Sequence, residues 1–117
     1  MKKHRITPLE TMELEFLDKT LFFRFDMEAI LKLQNEFGEL QKVTDTYKGN
    51  ECELIAIMLY SGIKDNEFTL DEARVIISSS AVVLVDTMSI VIKSLEVLGG
   101  EEISKKIQEE FAKLQIR

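Results

Sequence analysis

The spacing of the hydrophobic positions changes along the chain and predicts a short β-hairpin followed by helices. Between residues 12 and 25, apolar residues alternate with polar ones around a turn at residues 17–20, which is the period-two pattern of two paired strands. One face of this hairpin would have to pack on helices, because an isolated hairpin is marginal in water. That face would contain Leu14, Phe16, Leu21, Phe23 and Phe25. Phe22 would point the other way, where another chain would cover it.

Helical spacing begins after the hairpin. Asp26 is suited to cap a helix over residues 27–37, because its carboxylate can accept the free N–H groups of the first turn. The polar stretch 39–50 contains Gly49-Asn50 and predicts a loop or a frayed helix end. Residues 51–61 predict the next helix. Its apolar face would contain Leu54, Ile55, Met58 and Leu59.

The stretch from Asp71 to Leu98 is the most apolar in the sequence, and we expect it to supply the centre of the core. Thr69 and Glu72 ahead of it have the spacing of a capping box. Three serines at 78–80 interrupt the run, because serine side chains compete for backbone hydrogen bonds. The pattern predicts a short helix, a break or kink at the serines, and a longer helix over residues 81–98.

Two alternatives exist for this apolar stretch. Residues 82–85 and 90–92 are β-branched enough to form buried strands, although no turn residues separate them. Residues 75–92 are just long enough to span a membrane, although Asp86 in the middle would be costly there. A core helix covered by its neighbours on several sides accounts for the pattern without either difficulty.

The chain of 117 residues is expected to form a single, mainly α domain of four to five helices with a short N-terminal β-hairpin. Residues 1–9 are expected to be a mobile tail, residues 12–25 the hairpin, and residues 26–115 the helical part. The last helix would follow Gly99-Gly100. Its apolar stripe would contain Ile103, Ile107, Phe111 and Leu114.

Charge and residue types exclude several classes of function. The net charge of −6 argues against nucleic-acid binding through a basic face. His4 is the only histidine and has no cysteine near it in sequence, so neither a metal site nor a cofactor is expected. Cys52 is the only cysteine, which suits a reducing compartment, and a buried or half-buried structural thiol is expected there rather than a nucleophile.

Asp86 is the most unusual charge, since it lies within the apolar stretch. A buried acid with a shifted pKa would mark an enzyme. Because buried carboxylates are rare unless they are paired, we expect Asp86 to face water or to pair with a cation. No other group of residues has catalytic spacing, so no catalytic residues are assigned and an enzyme that uses Asp86 is the least favoured hypothesis.

Two segments of the chain resemble the tail assembly chaperones of long-tailed bacteriophages and prophages. The first combines a short hairpin, an aromatic-rich strand that ends in Arg24-Phe25-Asp26, and a helix closed by Gly38. The second combines an apolar helix, the step Ser61-Gly62-Ile63, and a polar turn that leads into the helix start at 69–72. The resemblance spans residues 12–77, and the apolar stretch after Ser80 departs from it.

The resemblance implies a non-enzymatic protein of the bacterial host cytoplasm. Such chaperones coat the long, helical tape-measure protein until tail-tube subunits polymerise around it. A small helical domain with surplus apolar surface suits this role, because amphipathic helices bind in apolar grooves. The candidate protein-binding residues are Phe22, Val83, Met88, Val91, Leu95, Ile107 and Phe111. The alternative is a small acidic dimeric protein, regulatory or structural, whose interface is the 81–98 helix; neither function involves nucleic acid or a membrane.

Overall fold

A two-stranded hairpin and six helices make up the part of the chain that the computed structural model describes, which is residues 1–112 without the side chains of residues 101, 103, 104, 106, 110 and 111. The predicted fold class, mainly α with a short N-terminal β-hairpin, is confirmed. The strands are β1 (Met12–Phe16) and β2 (Lys19–Phe23). The helices are α1 (Met27–Phe37), α2 (Leu40–Thr46), α3 (Glu51–Gly62), α4 (Leu70–Ser79), α5 (Ala81–Val97) and α6 (Glu101–Ala112).

The hairpin turn is tighter than the sequence predicts. Phe16 lies opposite Lys19, so Leu17 and Asp18 alone make the turn. Both have left-handed backbone angles, with φ of 50° and 62°. A two-residue turn of this type matches the twist of the strands that it joins. The strand pairing therefore imposes the turn, although leucine is poorly suited to the left-handed region.

β2 continues to pair beyond the hairpin, with the residues that leave α3. The Lys64 N–H donates to the Phe22 carbonyl at 2.9 Å, and the Arg24 N–H donates to the Gly62 carbonyl at 3.1 Å. These bonds attach the hairpin to the C-terminal end of α3. The apolar face of the hairpin packs there as predicted, and Phe23 and Phe25 are fully buried.

Gly62, the last residue of α3, lies directly against the ring of Phe23. A Cβ atom at position 62 would lie 2.3 Å from Phe23 Cε1 and 3.1 Å from the Arg24 carbonyl oxygen. Phe23 is buried on all sides and has no room to move away. Only glycine permits the hairpin and α3 to approach this closely.

Helix α3 is the centre of the core, and the prediction that residues 71–98 fill this place is wrong. Every residue of α3 from Leu54 to Leu59 is buried. The helix is covered on several sides, because α1, α4 and α5 all pack against it. α5 buries one side only, and Val82 on its other side is 70% exposed. The hydropathy of α5 comes in part from side chains that face solvent, so total hydropathy does not identify the central element.

The break at the serines is confirmed. α4 and α5 meet at an angle of 115°. Ser80 between them has an extended backbone, and its Oγ accepts the Val83 N–H at 3.2 Å, which caps α5. The capping box of Thr69 and Glu72 at the start of α4 is also present. Both apolar segments are helices and not strands.

No helix in residues 1–112 is by itself long and apolar enough to cross a membrane, and only α4 and α5 taken together, with their sharp bend, reach that length.

Helix α2 occupies a stretch for which the sequence predicts a loop or a frayed end. Leu40 and Val43 are buried between α1 and α6, and the Thr44 hydroxyl donates to the Leu40 carbonyl at 2.8 Å. A helix of seven residues is not stable alone, so tertiary packing holds it. In α6, Ile107 is buried as the predicted stripe requires, whereas Leu114 and the side chains of Ile103 and Phe111 lie outside the described residues.

Replacing Gly62 with alanine should lower the free energy of unfolding by about 1–3 kcal/mol, because the new methyl group overlaps the buried Phe23 ring. Chemical denaturation measures the change. Gly100→Ala is the matched control, since its nearest neighbour would be the Leu95 carbonyl oxygen at 3.4 Å. Equal losses in the two variants would contradict the steric account.

The double substitution Leu17→Asn, Asp18→Gly should raise the stability of the protein by about 0.5–1 kcal/mol. Asn-Gly is the preferred pair for a two-residue turn with positive φ at both positions, and it relieves the unfavourable backbone of Leu17. The midpoint of thermal unfolding measures the gain. A decrease would show that the exposed Leu17 side chain makes a stabilising contact.

Candidate functional site

An open groove of about 480 Å³ lies between α5 and α6. Apolar side chains supply the part nearer the N-terminal end of α5, and polar side chains supply the part nearer its C-terminal end. Its volume is within the range of small-molecule pockets, but the groove is open to solvent, so it suits side chains of a partner better than a ligand that must be enclosed. The lining residues are Val85, Met88, Ser89, Ile92, Lys93, Glu96 and Gln108.

The α5 residues of the groove continue into a longer, partly exposed surface on one side of the helix. Val82, Val85, Ser89 and Ile92 recur at three- and four-residue intervals, so they share one side of the helix. Val82 and Val85 are 70% and 44% exposed. We call this surface the α5 outer face; it comprises Val82, Val85, Met88, Ser89 and Ile92. Val82 and Val85 are exposed, whereas Met88, Ser89 and Ile92 are half-buried, and a partly exposed apolar surface of this kind is a candidate binding surface.

One charged residue of the groove is tied to the N-terminal segment. Lys93 Nζ lies 3.0 Å from Glu10 Oε1, and both side chains are more than half exposed. The pair places Glu10 beside the polar end of the groove without making it part of the lining. An exposed ion pair of this kind contributes little to stability.

The structure separates the seven predicted binding residues. Phe22 is 56% exposed on the outward side of the hairpin. Met88 lines the groove, and Val83 is half-buried next to the core. The Phe111 side chain lies outside the described residues.

The other three candidates, Val91, Leu95 and Ile107, are core residues with exposures of 0%, 2% and 0%. They form no part of the surface, because the side of α5 that carries Val91 and Leu95 is the side that the domain buries. Val82, Val85 and Ile92 lie within the predicted contact region 82–98 but are absent from the seven named candidates. α5 carries two apolar stripes, and only the position of α3 decides which of them faces inward.

The reactive side chains do not converge on the groove. Asp86 is exposed, in agreement with the prediction that it faces water or a cation. Cys52 is exposed as well, so the expected buried or half-buried thiol is wrong; position 52 faces outward at the first turn of α3. Among the described residues, no three histidine, cysteine or acidic side chains are grouped so that they could hold a metal ion.

Asp26 connects three segments near the hairpin. Its Oδ1 accepts the Ala29 N–H at 2.9 Å and so caps α1. Lys64 Nζ donates to the same oxygen at 2.8 Å, and Arg24 Nε donates to Oδ2 at 2.9 Å. Partial burial raises the pKa of Asp26, but the hydrogen bonds from Lys64, Ala29 and Arg24 outweigh it and lower the pKa to about 2. The perturbed carboxyl is therefore explained by its structural contacts.

Tyr60 is the second group with a perturbed pKa, at the packing of α1 on α3. Its hydroxyl donates to Glu36 Oε1 at 2.7 Å, and this bond, with burial and the Glu36 charge, raises the pKa of Tyr60 to about 12. Lys32 Nζ lies 4.2 Å from the centre of the ring, and Phe37 packs edge-on against it. Neither Tyr60 nor Asp26 lines the α5–α6 groove.

The chain matches no protein-family model, no curated protein and no solved structure.

Asp26→Asn should make the stability of the protein less dependent on pH below pH 4. The folded-state pKa of about 2 lies below the ordinary value of 3.8, so the carboxylate stabilises the fold above pH 4, and this contribution is lost as the pH falls to 2. Asparagine can still cap α1 but cannot attract Lys64 and Arg24. Urea unfolding from pH 2 to 7 should show a difference of about 1–2 kcal/mol at neutral pH that disappears near pH 2.

Asp86→Asn is the control for the loss of a carboxylate from an exposed position. A difference between the wild type and Asp26→Asn that stays constant from pH 7 to pH 2 would contradict the assignment.

Proposed function

We propose that this protein is a non-enzymatic tail assembly chaperone of a long-tailed bacteriophage or prophage, which binds helices of the tape-measure protein before the tail tube forms. The observation that carries the proposal is the α5 outer face with its groove. The resemblance of residues 12–77 to that chaperone family supports the choice of partner.

The geometry of the α5 outer face suits an amphipathic helix. From Val82 to Ile92 the surface extends about 15 Å along the helix axis, since each residue adds about 1.5 Å. That length corresponds to almost three turns of a partner helix, whose side chains at positions i, i+3, i+4 and i+7 would contact it. Lys93, Glu96 and Gln108 can form hydrogen bonds with polar groups at one end of such a helix.

The charge of the chain supports the same role. A net charge of −6 keeps the protein soluble while part of its apolar surface is exposed. The shifted pKa values of Asp26 and Tyr60 are explained by partners within the fold. Binding through apolar surface accounts for the exposed side chains of α5, whereas catalysis accounts for none of them.

The second candidate is a dimer in which the α5 outer faces of two copies pack together. The observation that favours it is the spacing of Val82, Val85, Ser89 and Ile92, which gives a stripe along one side of the helix with a small residue at its middle. In this case the same face would be covered by a second copy and would not be free for another protein. The residues buried in the core, Val91 and Leu95, belong to neither interface.

Val82→Asp and Val85→Asp, at two exposed positions of the α5 outer face, should reduce the ability of the protein to keep a tape-measure protein soluble. A carboxylate on the outer face would have to be desolvated against the apolar side of the bound helix. The measurement is the soluble yield of a tape-measure protein when the two chains are co-expressed. We expect a loss of at least about tenfold in binding, because a penalty above 1.4 kcal/mol changes an equilibrium tenfold.

Val97→Asp is the matched control. Val97 is 48% exposed on the same helix, close to the 44% of Val85, but it does not line the groove. Multi-angle light scattering of each variant distinguishes the two candidates. Loss of a dimer without loss of partner solubility would favour the dimeric protein, and an unchanged yield with all three variants would refute the chaperone surface.

A further inference from the structure

β1 has an open edge. In the hairpin, hydrogen-bonded and non-hydrogen-bonded residue pairs alternate. Phe22 lies opposite Glu13, and its carbonyl accepts from the Lys64 N–H on the side away from β1. The Glu13–Phe22 pair is therefore a non-hydrogen-bonded one, and so is the pair Glu15–Thr20 two residues on. The N–H and C=O groups of Glu13 and Glu15 consequently point away from β2.

These outward backbone groups have no protein partner among the described atoms of the chain. The side chains of Glu13 and Glu15 are exposed, and no cation of the described residues forms an ion pair with either carboxylate. In the described part of the chain, β1 therefore presents four backbone groups open to pairing and two negative charges along one edge.

The apolar side of the same strand is incompletely covered. Met12, Leu14 and Phe16 are only partly buried, whereas Leu21 and Phe23 on the neighbouring strand are buried. A third strand next to β1 would place its own apolar side chains beside these three and would complete their burial. Such a strand would also satisfy the backbone groups of the edge.

A second copy of β1 is disfavoured as this third strand. Side chains alternate between the two faces, so any register that keeps the apolar faces together pairs odd-numbered positions with odd-numbered positions. Both odd-numbered positions of β1 are glutamates. Every such register that pairs at least three residues of the two strands therefore places a glutamate opposite a glutamate, and like charges directly opposite each other destabilise a strand pair.

We propose that the edge of β1 binds an extended segment of another protein in which lysine or arginine alternates with apolar residues. The basic side chains lie opposite Glu13 and Glu15 and neutralise them, and the apolar side chains extend the face of Met12, Leu14 and Phe16. Main-chain hydrogen bonds supply affinity, and the two glutamates supply the choice of partner. This site is separate from the α5 outer face, so it does not depend on the proposed chaperone surface.

A blocked eight-residue peptide in which valine and lysine alternate is the direct probe. NMR titration of the full chain should show saturable binding with the largest amide shifts in β1, and a peptide with glutamate in place of lysine should not bind. Glu13→Gln with Glu15→Gln should weaken binding of the basic peptide about tenfold, or about 1.4 kcal/mol in total from the two exposed charge pairs. Glu102→Gln, an exposed glutamate on α6, is the matched control and should leave the affinity unchanged.

Two further measurements separate strand addition from simple charge attraction. One version of the peptide carries N-methyl groups on the backbone nitrogens of its lysines, and a second version carries them on the backbone nitrogens of its valines. Because alternate N–H groups face β1, one version should bind and the other should not. Equal binding of both versions, or shifts confined to residues outside β1, would overturn the proposal.

Neutralising Glu13 and Glu15 should also allow β1 strands of two copies to pair, because the repulsion between the glutamates is then removed. Light scattering of the Glu13→Gln, Glu15→Gln variant should show a larger dimer fraction than the wild type. A wild-type protein that already dimerises through β1, with peptide competing against that dimer, would overturn the choice of partner.

Discussion

The contact between Gly62 and the Phe23 ring is the constraint on which the rest of the structure depends. It allows the last turn of α3 to approach β2 so closely that backbone bonds form on both sides of it. Through those bonds the hairpin becomes part of the same body as the helices, although a two-stranded hairpin alone would be marginal. Asp26 then follows directly from β2, and its carboxylate both starts α1 and binds Lys64 beyond α3. One close approach thus fixes the relative positions of the hairpin, α1 and α3.

Local signals in the sequence were sufficient to predict most of the helices and strands. The alternation in residues 12–25, the cap at Asp26 and the capping box at Thr69 each act over a few residues, so their structural outcome does not depend on distant parts of the chain. α2 was missed because the reason for its helix is not local. Leu40 and Val43 look isolated in a polar stretch, and they become helical only because α1 and α6 provide surfaces for them.

The partly exposed side of α5 was predicted only in part, for a physical reason. α5 is apolar on two sides, and a hydrophobic pattern gives no information about which side another helix will cover. α3 decides this, because its six consecutive apolar residues give it a more uniformly apolar surface than α5. Once α3 is central, Val91 and Leu95 turn inward, Val82 and Val85 remain exposed, and Ile92 is half-buried. The family resemblance, which ends at residue 77, includes none of these positions.

The exposed thiol at the start of α3 has a practical consequence. Cys52 is the only cysteine of the chain, so a maleimide dye attaches at one defined position in the natural sequence. It lies on the element around which the other helices are arranged, and it is not among the residues that line the groove. A fluorophore there reports changes in tumbling and local environment without occupying the groove between α5 and α6.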